Sequence, residues 1–228
     1  MAEFKTIIFP PQREEIREGF GSLLHEVRGK TDEIRAKSFL CIDAEDEDAS
    51  RIDFIHTSFT RCRFRECRFS KASFIDTAFQ NCRFINCIFE SAFFRNCLME
   101  ECKFTGCGFV GSFIRESALR ETSFQYANFN ESRFENVSLE SSRIVSSELG
   151  ECRIRRLSLN RAVFNESNFF KTPLGGIDFR NSDIEQITLS KDFQELRGAT
   201  LNMFQAADLV RLMGSIEHIG IAEPLIVR

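Results

Sequence analysis

The chain contains no tryptophan, one tyrosine and three histidines among its 228 residues, yet it has 26 phenylalanines. Aromatic bulk comes almost without a polar handle, which asks for a dry interior where an indole N–H or a phenol O–H would find no partner. No apolar run approaches the ~20 residues needed to span a bilayer. The N-terminal stretch lacks a basic flank and a small-residue cleavage site, so a cytoplasmic chain with no membrane contact is expected. The net charge of −4 and pI near 5.6 do not mark a nucleic-acid binder, and no direct nucleic-acid contact is expected. His25, His56 and His218 lie in different regions, and no glycine-rich phosphate loop or metal-ligand spacing occurs. No catalytic, cofactor or metal residue is assigned, and no enzyme activity is expected.

What is present is a period. From Phe54 to Leu189 every fifth residue is large and apolar, through Phe74, Met99, Ile114, Phe124, Leu149 and Phe169, for 28 centres without a slip. Two residues before each centre the side chain is usually small, as at Thr57, Cys62, Ala72 and Ser112; Ile52, Val137, Leu157, Ile177 and Ile187 are exceptions. A strand repeats every two residues and an α-helix every 3.6, so a period of five fits neither. It fits a chain that turns a right angle every five residues and closes a square in about twenty. Each side then sends its centre and the preceding small residue inward and leaves three positions outside. Stacking at the ~4.8 Å inter-strand spacing would pair the backbones of successive coils and give a rod about 30–35 Å long. Such a filled rod leaves no cleft.

Eight of the nine cysteines (62, 67, 82, 87, 97, 102, 107 and 152) occupy the small inward position, and Cys41 lies outside the repeat. Successive inward positions sit on adjacent walls with phenylalanine between them, which argues against zinc. Stacked pairs come within disulfide reach, but their side chains point in parallel, so free thiols acting as small buried hydrophobes are expected.

A solenoid needs capped ends. Residues 1–50 read as an N-terminal helical cap, opened by Pro11, carried by Ile16, Phe20, Leu23, Leu24 and Val27, and stopped at Gly29. Asp43, Glu45, Asp46, Glu47 and Asp48 then read as a solvated acidic linker into a repeat over 51–190. In 191–228, Asn202 is a candidate N-cap for a short helix ending at Gly214. That helix and its apolar tail carry more apolar surface than capping requires, which suggests a two-fold dimer. The candidate interface is Leu201, Phe204, Ala207, Leu209, Leu212, Met213, Ile219 and Ile221.

The motif of a small residue, a polar one, Leu or Phe and two polar residues resembles the pentapeptide-repeat family. That resemblance implies an all-β solenoid: a right-handed quadrilateral parallel β-helix of about seven coils with an N-terminal helical cap and a short C-terminal helix. A narrower likeness lies in Thr172-Pro173-Leu174-Gly175-Gly176-Ile177-Asp178-Phe179, Gly198-Ala199-Thr200-Leu201 and Gln205-Ala206 through Leu212-Met213-Gly214. These stretches are similar to the C-terminal end of Qnr-type quinolone-resistance proteins, above all their Gram-positive members. The likeness implies a non-catalytic dimer that binds bacterial DNA gyrase and topoisomerase IV and relieves quinolone inhibition by mimicking DNA. The projecting loops of the Gram-negative members are missing here.

Charge bears on that mimicry. Residues 51–190 hold 19 Lys and Arg against 17 Asp and Glu, while residues 1–50 hold 7 against 12. Duplex DNA carries a charge every ~1.7 Å, so a neutral rod imitates it poorly. Steps of twenty nonetheless define candidate partner surfaces. Arg63, Arg83, Lys103 and Arg143 form a basic column, solvated and paired with Glu66 or else facing an anionic partner. Glu100, Glu101, Glu121 and Glu140 form a weakly acidic wall around Arg120. Ile55, Ile75, Phe93 and Phe113 form an outward apolar patch, open to a partner or covered by the N-terminal helix.

Overall fold

The computed structural model describes residues 14–209. Its body is a parallel β-solenoid of about seven turns with two short helices. Each turn has four walls. Their centres begin with Ile34, Phe54 and Phe74 on wall 1, Phe39, Phe59 and Phe79 on wall 2, Ala44, Phe64 and Phe84 on wall 3, and Ala49, Phe69 and Phe89 on wall 4, all buried. Residues twenty apart pair in parallel register, as Phe54↔Phe74 and Phe59↔Phe79 do. Walls 1 and 2 share a 12-stranded sheet and wall 3 is a 6-stranded one. Wall 4 is joined by isolated bridges such as Arg68↔Ile88.

The corners explain why three strand residues suffice per wall. Two positions after most centres the backbone takes a positive φ, as at His56 (52°), Lys71 (59°) and Arg161 (52°). For a residue with a Cβ this region costs roughly 1–2 kcal/mol. The cost is offset because the same residue's N–H reaches the coil above: His56 donates to the Ile75 carbonyl at 2.9 Å and Lys71 to the Glu90 carbonyl at 2.8 Å.

Inside, the period becomes a stack of rings. Phe54 and Phe74 lie 5.0 Å apart and nearly parallel, as do Phe84 and Phe104 at 4.6 Å. Across neighbouring walls the contacts turn edge-to-face, as between Phe64 and Phe69 at 5.6 Å. Both are favoured aromatic geometries, worth ~0.5–1.5 kcal/mol per pair beyond area burial. The small inward residues close the remaining gaps and donate to carbonyls. Thr77 Oγ1 reaches the Phe54 and Ile75 carbonyls at 3.2 Å each, and Cys97 Sγ reaches the Phe74 carbonyl at 3.2 Å.

All nine cysteines are free, and eight are buried. Burial pushes the thiols of Cys97 and Cys152 up to about 12. For Cys82 the neighbouring Cys102 thiol is the larger cause, with burial adding to it.

The N-terminal boundary differs from the sequence reading. Glu33–Arg35, Ser38–Leu40 and Asp43–Glu45 already pair with Asp53–Ile55, Ser58–Thr60 and Arg63–Arg65. Residues 33–50 are therefore the first turn, and the acidic stretch is part of its outer surface, not a linker. Helix α1 (Phe20–Val27) starts well after Pro11, which lies outside the described residues, and Ile16 belongs to a short strand, Glu14–Ile16. Gly29 follows α1 with φ +72°, the left-handed value that suits a helix stop. The small centres Ala44 and Ala49 leave room at the rod's end. Phe20 and Leu24 enter the core there, and the Phe20 ring meets Phe39 at 5.5 Å and Phe64 at 5.3 Å.

At the other end the last turn is held differently. A 3₁₀ turn, Gln194–Leu196, leads into residues that pair back onto the coil, with Leu174 N–H donating to the Glu195 carbonyl at 2.8 Å. The Glu195 carboxylate is buried and accepts from Lys171 N–H at 2.8 Å and from Ser190 Oγ at 2.7 Å. Burial alone would raise its pKa, but these hydrogen bonds, Ser190's foremost, bring it below the usual carboxylate value. Helix α2 occupies 203–209 at the limit of the described residues. Asn202 caps it reciprocally with Gln205: Gln205 N–H donates to Asn202 Oδ1 and Asn202 N–H to Gln205 Oε1, both at 2.9 Å.

Three outcomes are expected. Phe74→Ala should cost ~3–5 kcal/mol in urea unfolding by leaving a cavity. Phe93→Ala, on the outside, should cost about 1 kcal/mol; equal losses would contradict the stacked core. In a native thiol titration near pH 8, only Cys41 should react before unfolding, because the other eight thiols are buried out of a reagent's reach. Glu195 titrates lower in the fold than in the open chain, so its contribution is present above 4.5 and is lost as pH falls through the folded value. Hydrogen exchange in 190–200 should accelerate on that acid limb, and Glu195→Gln should flatten the dependence.

Candidate interaction surfaces

Because the interior is filled, chemistry is confined to the three outward positions of each pentad, and the register decides which of these become neighbours. On wall 1, Ile55 lies beside Ile75 and Phe93 beside Phe113. The two pairs form a diagonal, since Phe93 also adjoins Ser73 and Ile75 adjoins Arg95. The Phe93 and Phe113 rings are 5.6 Å apart, and the Arg115 guanidinium lies 5.9 Å from the Phe113 centroid. All four apolar residues are half-buried. Helix α1 does not cover them, because its apolar face turns into the rod's end.

Wall 3 brings Arg63, Arg83, Lys103, Ser123 and Arg143 into one column. Arg63 pairs with Asp43 at 3.4 Å and not with Glu66. Arg65 next to it binds Asp43 and Glu45, both at 2.8 Å. The Arg65 guanidinium, through its hydrogen bond and its charge, draws the Glu45 carboxyl below its ordinary value. Arg83, Lys103 and Arg143 are exposed and have no ion pair among the described residues. Like charges repeat there at the ~4.8 Å strand spacing.

On wall 2, Glu100, Arg120 and Glu140 share a column, with Arg120 and Glu140 3.7 Å apart and Gln80 donating to Glu100 at 3.3 Å. Glu101 and Glu121 stand at the adjoining corner and are exposed. The wall is partly neutralised by its own Arg120.

The C-terminal residues split into two groups. Leu201 and Leu209 pack against the core, and Gln205 Nε2 donates to the Phe179 and Ser182 carbonyls at 2.9 and 2.7 Å. Phe204 and Ala207 are exposed, and Met203, which the sequence reading passed over, stands out with Phe204, each 84% exposed. Leu212, Met213, Ile219 and Ile221 lie outside the described residues. Three further exposed side chains lie outside the expected surfaces: Ile85, beside Arg65 on wall 3, Tyr126 at 62% exposure, and Phe170, with the Lys171 ammonium 5.1 Å from its ring centroid. Outward position was the signal for all three, since each lies one or two residues after a centre.

Among the described residues no cluster of His, Cys, Asp and Glu is placed to hold a metal ion, and no helix is long and apolar enough to cross a membrane. His25 lies on α1, and His56 sits at a corner with Nδ1 3.6 Å from Asp76. His218 is outside the described residues.

Comparison with known proteins gives a consistent picture of the repeat. The "Pentapeptide repeat region" family matches residues 76–149, and "Pentapeptide repeats (8 copies)" matches residues 50–84. No curated protein matches the chain. A trypsin-treated form of QnrB1, a plasmid-mediated fluoroquinolone resistance protein, is 20% identical with a TM-score of 0.45, covering 82% of this chain and 100% of its own. Full-length QnrB1 is 20% identical with a TM-score of 0.40, over 91% and 95%. HetL, involved in heterocyst differentiation regulation in the cyanobacterium Nostoc sp. strain PCC 7120, is 14% identical with a TM-score of 0.35, over 81% and 96%. With its five-residue register, its square coils and two matching repeat families, the chain is a pentapeptide-repeat protein.

Proposed function

We propose that this protein is a non-catalytic binding rod whose partner is a type II DNA topoisomerase, gyrase or topoisomerase IV, which it shields from quinolones. The observation that carries the binding role is the filled interior: close-packed apolar side chains occupy the axis, so a partner meets the rod from outside. Pentapeptide-repeat proteins are generally non-catalytic scaffolds. The topoisomerase reading rests on the residues that resemble the Qnr-type C-terminal end. In the fold they act as one unit: Gly176 N–H donates to the Gly198 carbonyl, Phe179 N–H to the Thr200 carbonyl, and Gln205 binds the carbonyls of the turn beneath. Met203 and Phe204 project from that unit and, in this reading, seat a second copy to make a two-fold dimer.

A second reading, a scaffold for another macromolecule, is favoured by charge. The repeat is nearly neutral, and the free cations of wall 3 suit an anionic surface better than a site evolved for DNA. Resemblance to DNA would then have to come from shape and dimer length.

Supercoiling by gyrase in the presence of ciprofloxacin separates the two. Purified protein should restore activity, and Met203→Asp with Phe204→Asp should weaken the rescue and shift the mass in solution from a dimer toward 26.3 kDa. Absence of rescue over a wide concentration range, with repeated recovery of one other partner from lysate, would replace the first reading with the second.

A further inference from the structure

Walls 1 and 2 lose their pairing before the rod ends. The strand Arg153–Asn160 pairs with Arg133–Glu140 below it. Above it, residues 173–180 make no backbone hydrogen bond to it among the described residues. They pair upward instead, through Leu174 to Glu195, Gly176 to Gly198 and Phe179 to Thr200. Walls 3 and 4 stay joined at the same level by Val163↔Asp183 and Asn168↔Thr188. The rod is thus open on two walls and closed on the other two.

The cause is local. Phe93, Phe113, Arg133 and Arg153 each donate an N–H to the coil below at about this corner, but the next equivalent is Pro173, which has none. One extra residue is also taken up, because Arg161 N–H meets the Asn181 carbonyl where Ser141 N–H meets that of Asn160.

The opening changes the exposed chemistry. Ile154, Leu157 and Leu159 are only half-buried, whereas Phe134, Val137 and Leu139 one coil earlier are buried. Ile154 and Leu157 line a narrow apolar slot with Leu174, Ile177 and Phe179 on the opposite lip. Outside, Arg153, Arg155 and Arg156 are exposed, with Arg133 and Arg161 beside them. Only Arg156 has an ion pair, to Glu135 at 3.3 Å; the other four have none among the described residues. An unpaired eight-residue edge is a template for another strand, and its charges select what can pair.

We propose that the Arg153–Asn160 edge is a docking site for an extended acidic segment of a partner protein, added as one more strand. The segment's backbone would take up the open hydrogen-bonding groups. Its side chains would follow the strand's own in-and-out order, with apolar cover over Ile154, Leu157 and Leu159 and carboxylates facing Arg153 and Arg155. This inference does not depend on the topoisomerase reading.

The test uses the full-length protein and a fluorescein-labelled peptide, Glu-Val-Glu-Glu-Val-Glu-Val-Glu, whose apolar and acidic positions follow the in-and-out order of the strand's eight residues. Fluorescence anisotropy should show saturable binding. Arg153→Glu with Arg155→Glu, both exposed, should keep the far-UV circular dichroism spectrum and weaken binding by about tenfold or more. N-methylation of alternate peptide amides should abolish binding at unchanged charge. Equal binding of the N-methylated peptide would reduce the effect to bulk charge and overturn strand addition. So would no binding at all, or amides at 153–160 in the free protein as protected from exchange as those at 133–140, the sign of an edge already covered by residues 210–228 or a second copy.

Discussion

Every structural feature depends on the closure of the coil at twenty residues, which sets each side chain directly over its counterpart in the next turn. Backbone pairing and ring stacking then share one repeat distance, because strands separated by ~4.8 Å also hold aromatic rings in van der Waals contact. Neither interaction alone would select the square. Three-residue strands are too short to be stable singly, and phenylalanines in a less regular core would find no continuous columns. Together they sustain a left-handed corner in nearly every pentad on residues as unlike as His56, Lys71 and Arg161.

The same closure governs the polar groups. A thiol or hydroxyl at the small inward position reaches a carbonyl two residues back and another in the coil beneath, so Thr77, Cys97 and Ser142 satisfy equivalent demands. This explains why cysteine concentrates there without metal or disulfide chemistry: the position needs small volume and a donor, and thiol, hydroxyl or methyl can meet most of that need. Outside, register rather than sequence proximity makes neighbours. Arg63 finds Asp43 twenty residues away while Glu66, three away, lies around the corner.

Where the pattern weakens, the structure brings in other elements. Ala44 and Ala49 cannot fill the first coil, so Phe20 and Leu24 from α1 complete it. Near the other end, Pro173 removes a donor and walls 1 and 2 part, although the apolar centres Leu174 and Phe179 keep their spacing and stay buried. Regular spacing of apolar side chains and continuity of the backbone ladder are therefore separate properties. The first depends on volume, the second on every residue having an N–H in the right place.

The sequence by itself determined the coil: a period of five admits no helix or flat strand, and alternation of large and small inward residues fixes which atoms fill the axis. It also marked the free cysteines, the columns on walls 1 to 3 and the Asn202 cap, since each follows from position within the repeat. The tertiary structure alone decided where the coil begins. Turn 33–50 has two alanine centres that no periodicity search would weigh, and only packing shows that α1 supplies the missing volume. It alone decided, too, that Leu201 and Leu209 serve the core while Met203 and Phe204 remain outside, and that Arg153–Asn160 is an open edge. Those outcomes depend on how the last turns tilt and pair, and hydrogen bonding across twenty residues leaves no trace in local spacing.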